Sequence, residues 1–167
     1  TYYYNGQLMQ SATQFLKRFI KPFDRKKWSL HVATRDGLNV KDVLDSWKKK
    51  SIMSNEFGTR IHTFAERYAK NKMTNTLIPV DFPAVLPKED KYKKSIVKFW
   101  QVHPELHPVE VERQVCVPKW MIAGTVDMIA KSDDGYFYLV DWKSNESITT
   151  FNLYGDKLLP PLQHLDD

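Results

Sequence analysis

Residues 124–145, GTVDMIAKSDDGYFYLVDWKSN, contain two apolar segments joined by a short polar turn with a glycine. This pattern predicts two neighbouring antiparallel strands connected by a hairpin turn. Each strand also carries an acid, Asp127 in the first and Asp141 in the second. An ionised carboxylate within an apolar strand is unfavourable unless it has a partner. Both acids are therefore candidate functional residues.

Upstream of the hairpin, apolar residues recur at helical spacing in four segments, and from residue 106 the period changes to two. The first predicted helix begins at the Ser11–Gln14 capping box and ends at Pro22. The second runs from the cap Asn39 to Lys48–Lys50, the third covers residues 56–70, and the fourth ends near His103. The sequence thus predicts an α+β fold, in an α/β/α-like arrangement, with a mixed and mainly antiparallel sheet flanked by helices. We expect one domain over residues 1–167, with a helical part (1–105), catalytic strands (106–146) and an irregular tail (147–167).

The composition is that of a globular protein, with 42% hydrophobic residues among 167, which excludes a disordered or low-complexity chain. No apolar run approaches the roughly 20 residues that cross a bilayer, and the first residues lack a signal pattern. We therefore expect an intracellular protein without a membrane partner. The single cysteine, Cys116, excludes an internal disulfide and a cysteine-based zinc site.

Positive charge is concentrated in residues 13–50, which hold eleven Lys or Arg against four Asp within a chain of net charge +5. Aromatic residues are interleaved with these cations, a composition that suits a nucleic-acid backbone and its bases. Core aromatics with lysines on the solvated faces of helices explain the same stretch equally well.

Side chains alternate along a strand, so Asp141 and Lys143 share a face, and the hairpin places Asp127 about level with them. Two carboxylates this close repel each other unless a cation lies between them. Oxygen ligands of this kind suit Mg²⁺ or Mn²⁺ together with a substrate phosphate. A neighbouring lysine neutralises charge on the phosphate or orients and deprotonates the attacking water. The pattern predicts phosphodiester hydrolysis, although Asp141 with Lys143 alone also fits a structural ion pair.

Asp127 followed by Asp141-Trp142-Lys143 resembles the signature of the PD-(D/E)XK nuclease superfamily. The segment GTRIHTFAE is similar to the Gly-x-x-x-His helix of the RecB-like branch, and VERQV to its Glu-bearing first strand. SATQFLK near the start resembles the Ser-x-Thr opening of mitochondrial genome maintenance exonucleases and related phage and viral nucleases. The resemblance covers residues 11–146, with its blocks in the family's order.

The resemblance implies a restriction-endonuclease-like core and assigns roles to individual residues. The implied metal ligands are His62, Asp127, Asp141 and the Trp142 carbonyl. The implied catalytic residues are Asp127, Asp141, Lys143 and Glu66, the last near the metal, although His62 with Glu66 also fits a helix surface pair. The predicted nucleic-acid contacts are Ser11, Thr13, Lys17 and Arg60. Glu112 of the VERQV block is a further candidate, although strand alternation also fits a position that faces solvent.

RecB-like members continue with a helix bearing Gln-x-x-x-Tyr, which this sequence lacks, so we expect the C-terminal part of the core to be missing. The leading hypothesis is a Mg²⁺- or Mn²⁺-dependent exonuclease acting on single-stranded or frayed DNA ends in replication, recombination or repair. One alternative is a truncated or degenerate nuclease fold that binds nucleic acid without cutting it. A weaker one is a structural subdomain of a larger helicase or recombination assembly.

Overall fold

The computed structural model describes residues 1–75 and 88–145. Its strands are β1 (Tyr2–Tyr4), β2 (Gln7–Ser11), β3 (Leu106–Val117), β4 (Ile122–Ser132) and β5 (Phe137–Val140). Its helices are α1 (Ala12–Leu16), α2 (Arg25–Asp36), α3 (Val40–Thr74) and α4 (Glu89–Val102), with 3-10 turns at Lys17–Phe19 and Pro118–Trp120. The predicted α+β class, with a mostly antiparallel sheet flanked by helices, is confirmed. The tail predicted for residues 147–167 lies outside the described residues.

The sheet has the order β1-β2-β4-β3, and β5 also pairs with β4. Strands β3 and β4 are antiparallel along most of their length, while β2 joins β4 in parallel at Gln10↔Ile122. The predicted hairpin is confirmed, since β4 and β5 pair from Lys131↔Phe137 to Met128↔Val140 around a turn that contains Gly135. Gly135 has φ 91°, a left-handed conformation that glycine adopts without strain.

The hydrophobic core lies where α3 and α4 pack against β3 and β4. Its buried members are Ile61, Phe64, Ala65 and Ala69 of α3, Ile96 and Trp100 of α4, Leu106 of β3, and Met128 and Ala130 of β4. Three of the α3 residues, Ile61, Ala65 and Ala69, are spaced four apart and share one face of the helix. Burial of that face fixes the rotation of α3 and so decides which residues lie on its flanks.

The structure corrects the predicted helices at several points. The two helices predicted between Asn39 and residue 70 form the single helix α3, in which Lys48–Lys50 lie mid-helix rather than at an end. Lysines are good helix formers, so a run of three is no stop signal. The first helix ends at Leu16 rather than at Pro22, and a 3-10 turn follows it.

Two elements were absent from the sequence-based prediction. Helix α2 is capped by Asp24, whose Oδ1 accepts the Lys27 amide, and ends at Gly37 in a left-handed conformation. The hairpin of β1 and β2 turns at Asn5 and Gly6, both with positive φ, as a two-residue Asn-Gly turn requires.

Within residues 1–75 and 88–145, none of the helices combines the length and apolar character that a membrane crossing needs.

Candidate metal centre

His62 and Glu66 lie on the flank of α3, one turn apart. The neighbouring residues Ile61 and Ala65 point into the core, so His62 and Glu66 remain accessible, with side chains 35% and 27% exposed. Glu66 forms an ion pair with Lys70, four residues further along the helix. The flank of α3 therefore presents an imidazole and a lysine-paired carboxylate beside the sheet.

Asp127 of β4 is held by the backbone that follows β5. Its Oδ2 accepts a hydrogen bond from the Trp142 amide at 2.7 Å and lies 3.4 Å from the His62 Nδ1. The Trp142 ring packs edge-on against Phe99 at 5.1 Å, which anchors this part of the chain to α4. The regular β4–β5 pairing ends at Met128↔Val140, directly before this contact. The Asp127 carboxylate thus accepts a backbone amide from the segment that directly follows the end of the β4–β5 pairing.

Glu112 of β3 joins the same group. The register pairs Val111 with Met128 and Arg113 with Val126, which places Glu112 opposite Asp127. Glu112 has φ 51°, a left-handed conformation that is unfavourable for a residue of this type. This left-handed residue and the register shift between Pro108 and Glu110 interrupt regular strand geometry, and Glu112 lines the site while it stays exposed to solvent. One potential ligand atom each of His62, Glu112 and Asp127 lies within 4.8 Å of the other two, so the group could hold a metal ion.

Negative charge accumulates at this group. Partial burial raises the pKa of Glu112 above its usual range, and the carboxylates of Asp127 and Glu66 raise it further. His62 and Lys70 act in the opposite direction, but more weakly. A cation placed among these side chains would relieve the repulsion.

The metal-ligand group of His62, Glu112 and Asp127 forms part of the wall of an open cavity of about 1270 Å³, which we call the cleft. Helix α3 supplies much of the remaining wall, from Lys50 to Glu66. Residues at the start of α4 and after β5 complete it, namely Lys88, Tyr92, Ser144 and Asn145. The Tyr92 hydroxyl donates to the Asn145 carbonyl at 3.1 Å, which ties these two parts of the wall together.

Gly58 explains how α3 and the segment after β5 approach each other. A Cβ atom at this position would lie 3.3 Å from the Ser144 Oγ, closer than most such contacts. The absence of a side chain at Gly58 therefore leaves room for Ser144 at the cleft wall.

No protein-family model, curated protein or solved structure matches this chain. The function of the cleft therefore has to be inferred from its own residues and their geometry.

Asp141 and Lys143, expected at the centre of the site, are not among the described residues that line the cleft. They form an ion pair with each other at 2.7 Å, with side chains 60% and 57% exposed, and neither contributes to the cleft wall. Asp141 would be the next residue to pair, opposite Asp127, but strand pairing ends at Val140. Beyond that residue the sheet no longer sets side-chain direction. Trp142 contributes its amide hydrogen to Asp127, a contact different from the carbonyl ligand implied by the resemblance.

The four predicted nucleic-acid contacts have different surroundings. Ser11 caps α1 through its Oγ, which accepts the Gln14 amide at 3.1 Å, while Thr13 and Lys17 are exposed. Arg60 does not present a free guanidinium. Its Nε and Nη2 contact the two carboxylate oxygens of the buried Glu89 at 2.6 and 3.0 Å. Arg60 therefore joins α3 to α4.

Glu112 is a site residue with a left-handed backbone conformation. The strained backbone that brings it to the site leads to a prediction, because left-handed φ in a residue other than glycine costs about 1 kcal/mol. Asn tolerates this conformation better than Glu. The free energy of unfolding of the Glu112→Asn variant should therefore be about 1 kcal/mol higher than that of the unaltered chain, as measured by chemical denaturation.

The matched control is Glu112→Gln, which removes the same charge from the neighbourhood of Asp127 and Glu66 but keeps a side chain that the left-handed backbone disfavours. A shared effect of both substitutions, or a loss of stability confined to Glu112→Asn, would show that the left-handed backbone stores no strain.

Proposed function

We propose that this chain is a metal-dependent nuclease that hydrolyses phosphodiester bonds of DNA in the cleft. The observation that carries the proposal is the convergence of His62, Glu112 and Asp127, from α3, β3 and β4, within 4.8 Å on the wall of a wide cavity. The three residues come from the blocks that resemble the RecB-like branch of the PD-(D/E)XK nucleases. That branch also supplies the expectation of an exonuclease on single-stranded or frayed ends.

The donor set fits a divalent cation. Ligands around one ion at bond lengths of about 2.1 Å lie at most about 4.2 Å apart, so a small side-chain rotation brings the three atoms of the metal-ligand group into range. Two carboxylates suit Mg²⁺ and Mn²⁺, while an imidazole nitrogen favours transition ions. We therefore expect Mn²⁺ to bind more tightly than Mg²⁺. When bound, the cation supplies positive charge that polarises the phosphate and acidifies water.

The chain's own residues orient the reacting groups. The Trp142 amide holds the Asp127 carboxylate, and the Trp142 ring is in turn packed on Phe99. Lys143 follows directly on Trp142 and supplies a positive charge for the phosphate. Its exposed pairing with Asp141 is worth about 0 to 1 kcal/mol, so releasing Lys143 toward a substrate requires little free energy.

This role of Lys143 is tested by Lys143→Ala. Losing a cation that acts on a phosphate in the transition state should lower hydrolysis of a labelled oligonucleotide in Mn²⁺ by at least about 100-fold. The melting temperature should change little, because the residue is exposed and its ion pair is weak. The matched control is Lys119→Ala, an exposed lysine in the turn between β3 and β4. Equal activities of the two variants would remove Lys143 from the mechanism.

A second candidate is a nuclease-like fold that binds nucleic acid without hydrolysis. The observation that favours it is the position of Asp141 and Lys143 outside the cleft wall. Oligonucleotide binding by the unaltered chain, with no product in either Mg²⁺ or Mn²⁺, would select this candidate over the enzyme.

A further inference from the structure

One row of α3 residues crosses the whole cleft. Lys50, Ser54, Gly58, His62 and Glu66 follow each other at intervals of four, and all five contribute to the wall. Residues at this interval form a continuous ridge, inclined by about 26° to the helix axis. The cleft therefore runs obliquely along α3, with the metal-ligand group toward one end and Lys50 at the other.

The distance between these ends follows from helix geometry. Twelve residues separate Lys50 from His62, which corresponds to about 18 Å along the axis at about 1.5 Å per residue. Adjacent phosphates of a stacked nucleic-acid strand advance by about 3.4 Å. The interval thus spans about five nucleotides of a stacked strand, and fewer of an extended one.

Between the two ends, the cleft offers an aromatic surface. Phe57 and Tyr92 both line it, and their rings meet edge to face with centroids 5.1 Å apart. Both side chains are half-buried, so each keeps part of its surface accessible from the cleft. Such rings accept nucleobases of any sequence by stacking. The cleft wall therefore carries acidic side chains at the metal-ligand group, aromatic rings at Phe57 and Tyr92, and lysines at Lys50 and Lys88.

We propose that Lys50 binds a backbone phosphate several nucleotides away from the scissile bond, so that the cleft holds a single strand of about five nucleotides along α3. This assignment rests on the proposed function for the position of the scissile bond. Lys50 is exposed and lies on the same ridge as His62, so its ammonium can contact a nucleic-acid strand that starts at the metal-ligand group. Lys50 is then a specificity-determining residue for substrate length and takes no part in the chemical step.

The experiment compares Lys50→Ala with Lys49→Ala, which removes an equally exposed lysine from the same helix outside the cleft wall. Binding of a fluorescent octanucleotide is measured by anisotropy in EDTA over a range of salt concentrations. Lys50→Ala should weaken binding about fivefold and reduce the salt slope by about 0.7, the value for one phosphate of a single strand. Lys49→Ala should leave the slope unchanged.

Kinetics in Mn²⁺ provide the second measurement. Lys50→Ala should lower kcat/KM about fivefold for the octanucleotide and leave it unchanged for a dinucleotide, which cannot reach from the metal-ligand group to Lys50. Equal effects of Lys49→Ala and Lys50→Ala on binding, or equal losses on both substrates, would overturn the assignment. If the octanucleotide binds with the expected dependence on Lys50 but is never cleaved, the proposed hydrolysis fails while the binding path along α3 stands.

Discussion

Replacing Asp127 with Asn should lower the affinity for Mn²⁺ by at least about 100-fold and reduce DNA hydrolysis by about 1000-fold. Asp127 lies between His62 and Glu112, so losing its charge removes one of the two carboxylates of the metal-ligand group. The Asn side-chain oxygen can still accept the Trp142 amide, so the local backbone should be retained. Isothermal titration calorimetry measures the metal affinity, and a labelled-oligonucleotide assay measures the hydrolysis.

The matched control is Asp134→Asn in the hairpin turn. Asp134 also accepts a backbone amide through its carboxylate, that of Tyr136 at 3.2 Å, but it lies outside the metal-ligand group. The Asp134→Asn variant should bind Mn²⁺ with the affinity of the unaltered chain. Retained Mn²⁺ affinity in Asp127→Asn, with a normal circular-dichroism spectrum, would refute the proposed metal centre.

Replacing Arg60 with Ala should lower the free energy of unfolding by about 3 kcal/mol, and so the melting temperature by about 10 °C. The substitution removes the bidentate partner of Glu89, a carboxylate with no solvent exposure, and leaves Lys93 at 3.4 Å. The expected loss of unfolding free energy lies at the lower end of the range for a buried ion pair, because the Arg60 side chain is 32% exposed. Thermal and chemical denaturation give the two quantities.

The comparison variant is Arg35→Ala, which breaks the bidentate pair of Arg35 with Asp36 on the surface. Its side chains are 64% and 36% exposed, so the loss of stability should be much smaller than that of Arg60→Ala. Similar losses in Arg60→Ala and Arg35→Ala would mean that burial of Glu89 has no effect on the strength of its pairing.

The pair of Arg60 and Glu89 also predicts how the stability of the fold depends on pH. The Arg60 guanidinium, and to a lesser extent Lys93, lowers the pKa of Glu89 in the folded state, despite the opposing effect of burial. The unfolded chain then binds more protons than the folded one at acidic pH. The stabilisation is present above the unfolded pKa of about 4.3 and is lost as the pH falls through the folded pKa. Arg60→Ala should therefore lose less stability on acidification than the unaltered chain.

Much of the secondary structure was predictable from local signals. The hairpin of β4 and β5, the Ser11 cap and the Asn39 cap depend on turn residues and hydrogen bonds between neighbours in sequence, and all three are confirmed. The Asn5-Gly6 turn and the Asp24 cap are signals of the same kind that were present but not used. The single helix α3 could not be deduced in this way, because a lysine run is compatible with either an end or a continuation.

For the candidate site, the sequence pattern predicts which residues take part better than it predicts where their side chains lie. The sequence predicts His62, Glu66 and Asp127 as site residues, and all three line the cleft. Strand alternation leaves the direction of Glu112 open, because β3 contains a register shift and Glu112 itself has a left-handed backbone. Asp141 and Lys143 were expected to face Asp127, but strand alternation does not apply beyond Val140.

The sequence alone determined the fold class, the hairpin and the position of Asp127 as an acid within an apolar strand, because periodicity and turn chemistry act over a few residues. Only the tertiary structure decided that Glu112 joins His62 and Asp127, and that Arg60 pairs with Glu89 instead of facing solvent. Arg60 and Glu89 are 29 positions apart in the sequence, and His62 and Asp127 are 65 positions apart. These contacts depend on how α3 packs against α4 and the sheet, which no local pattern in the chain encodes.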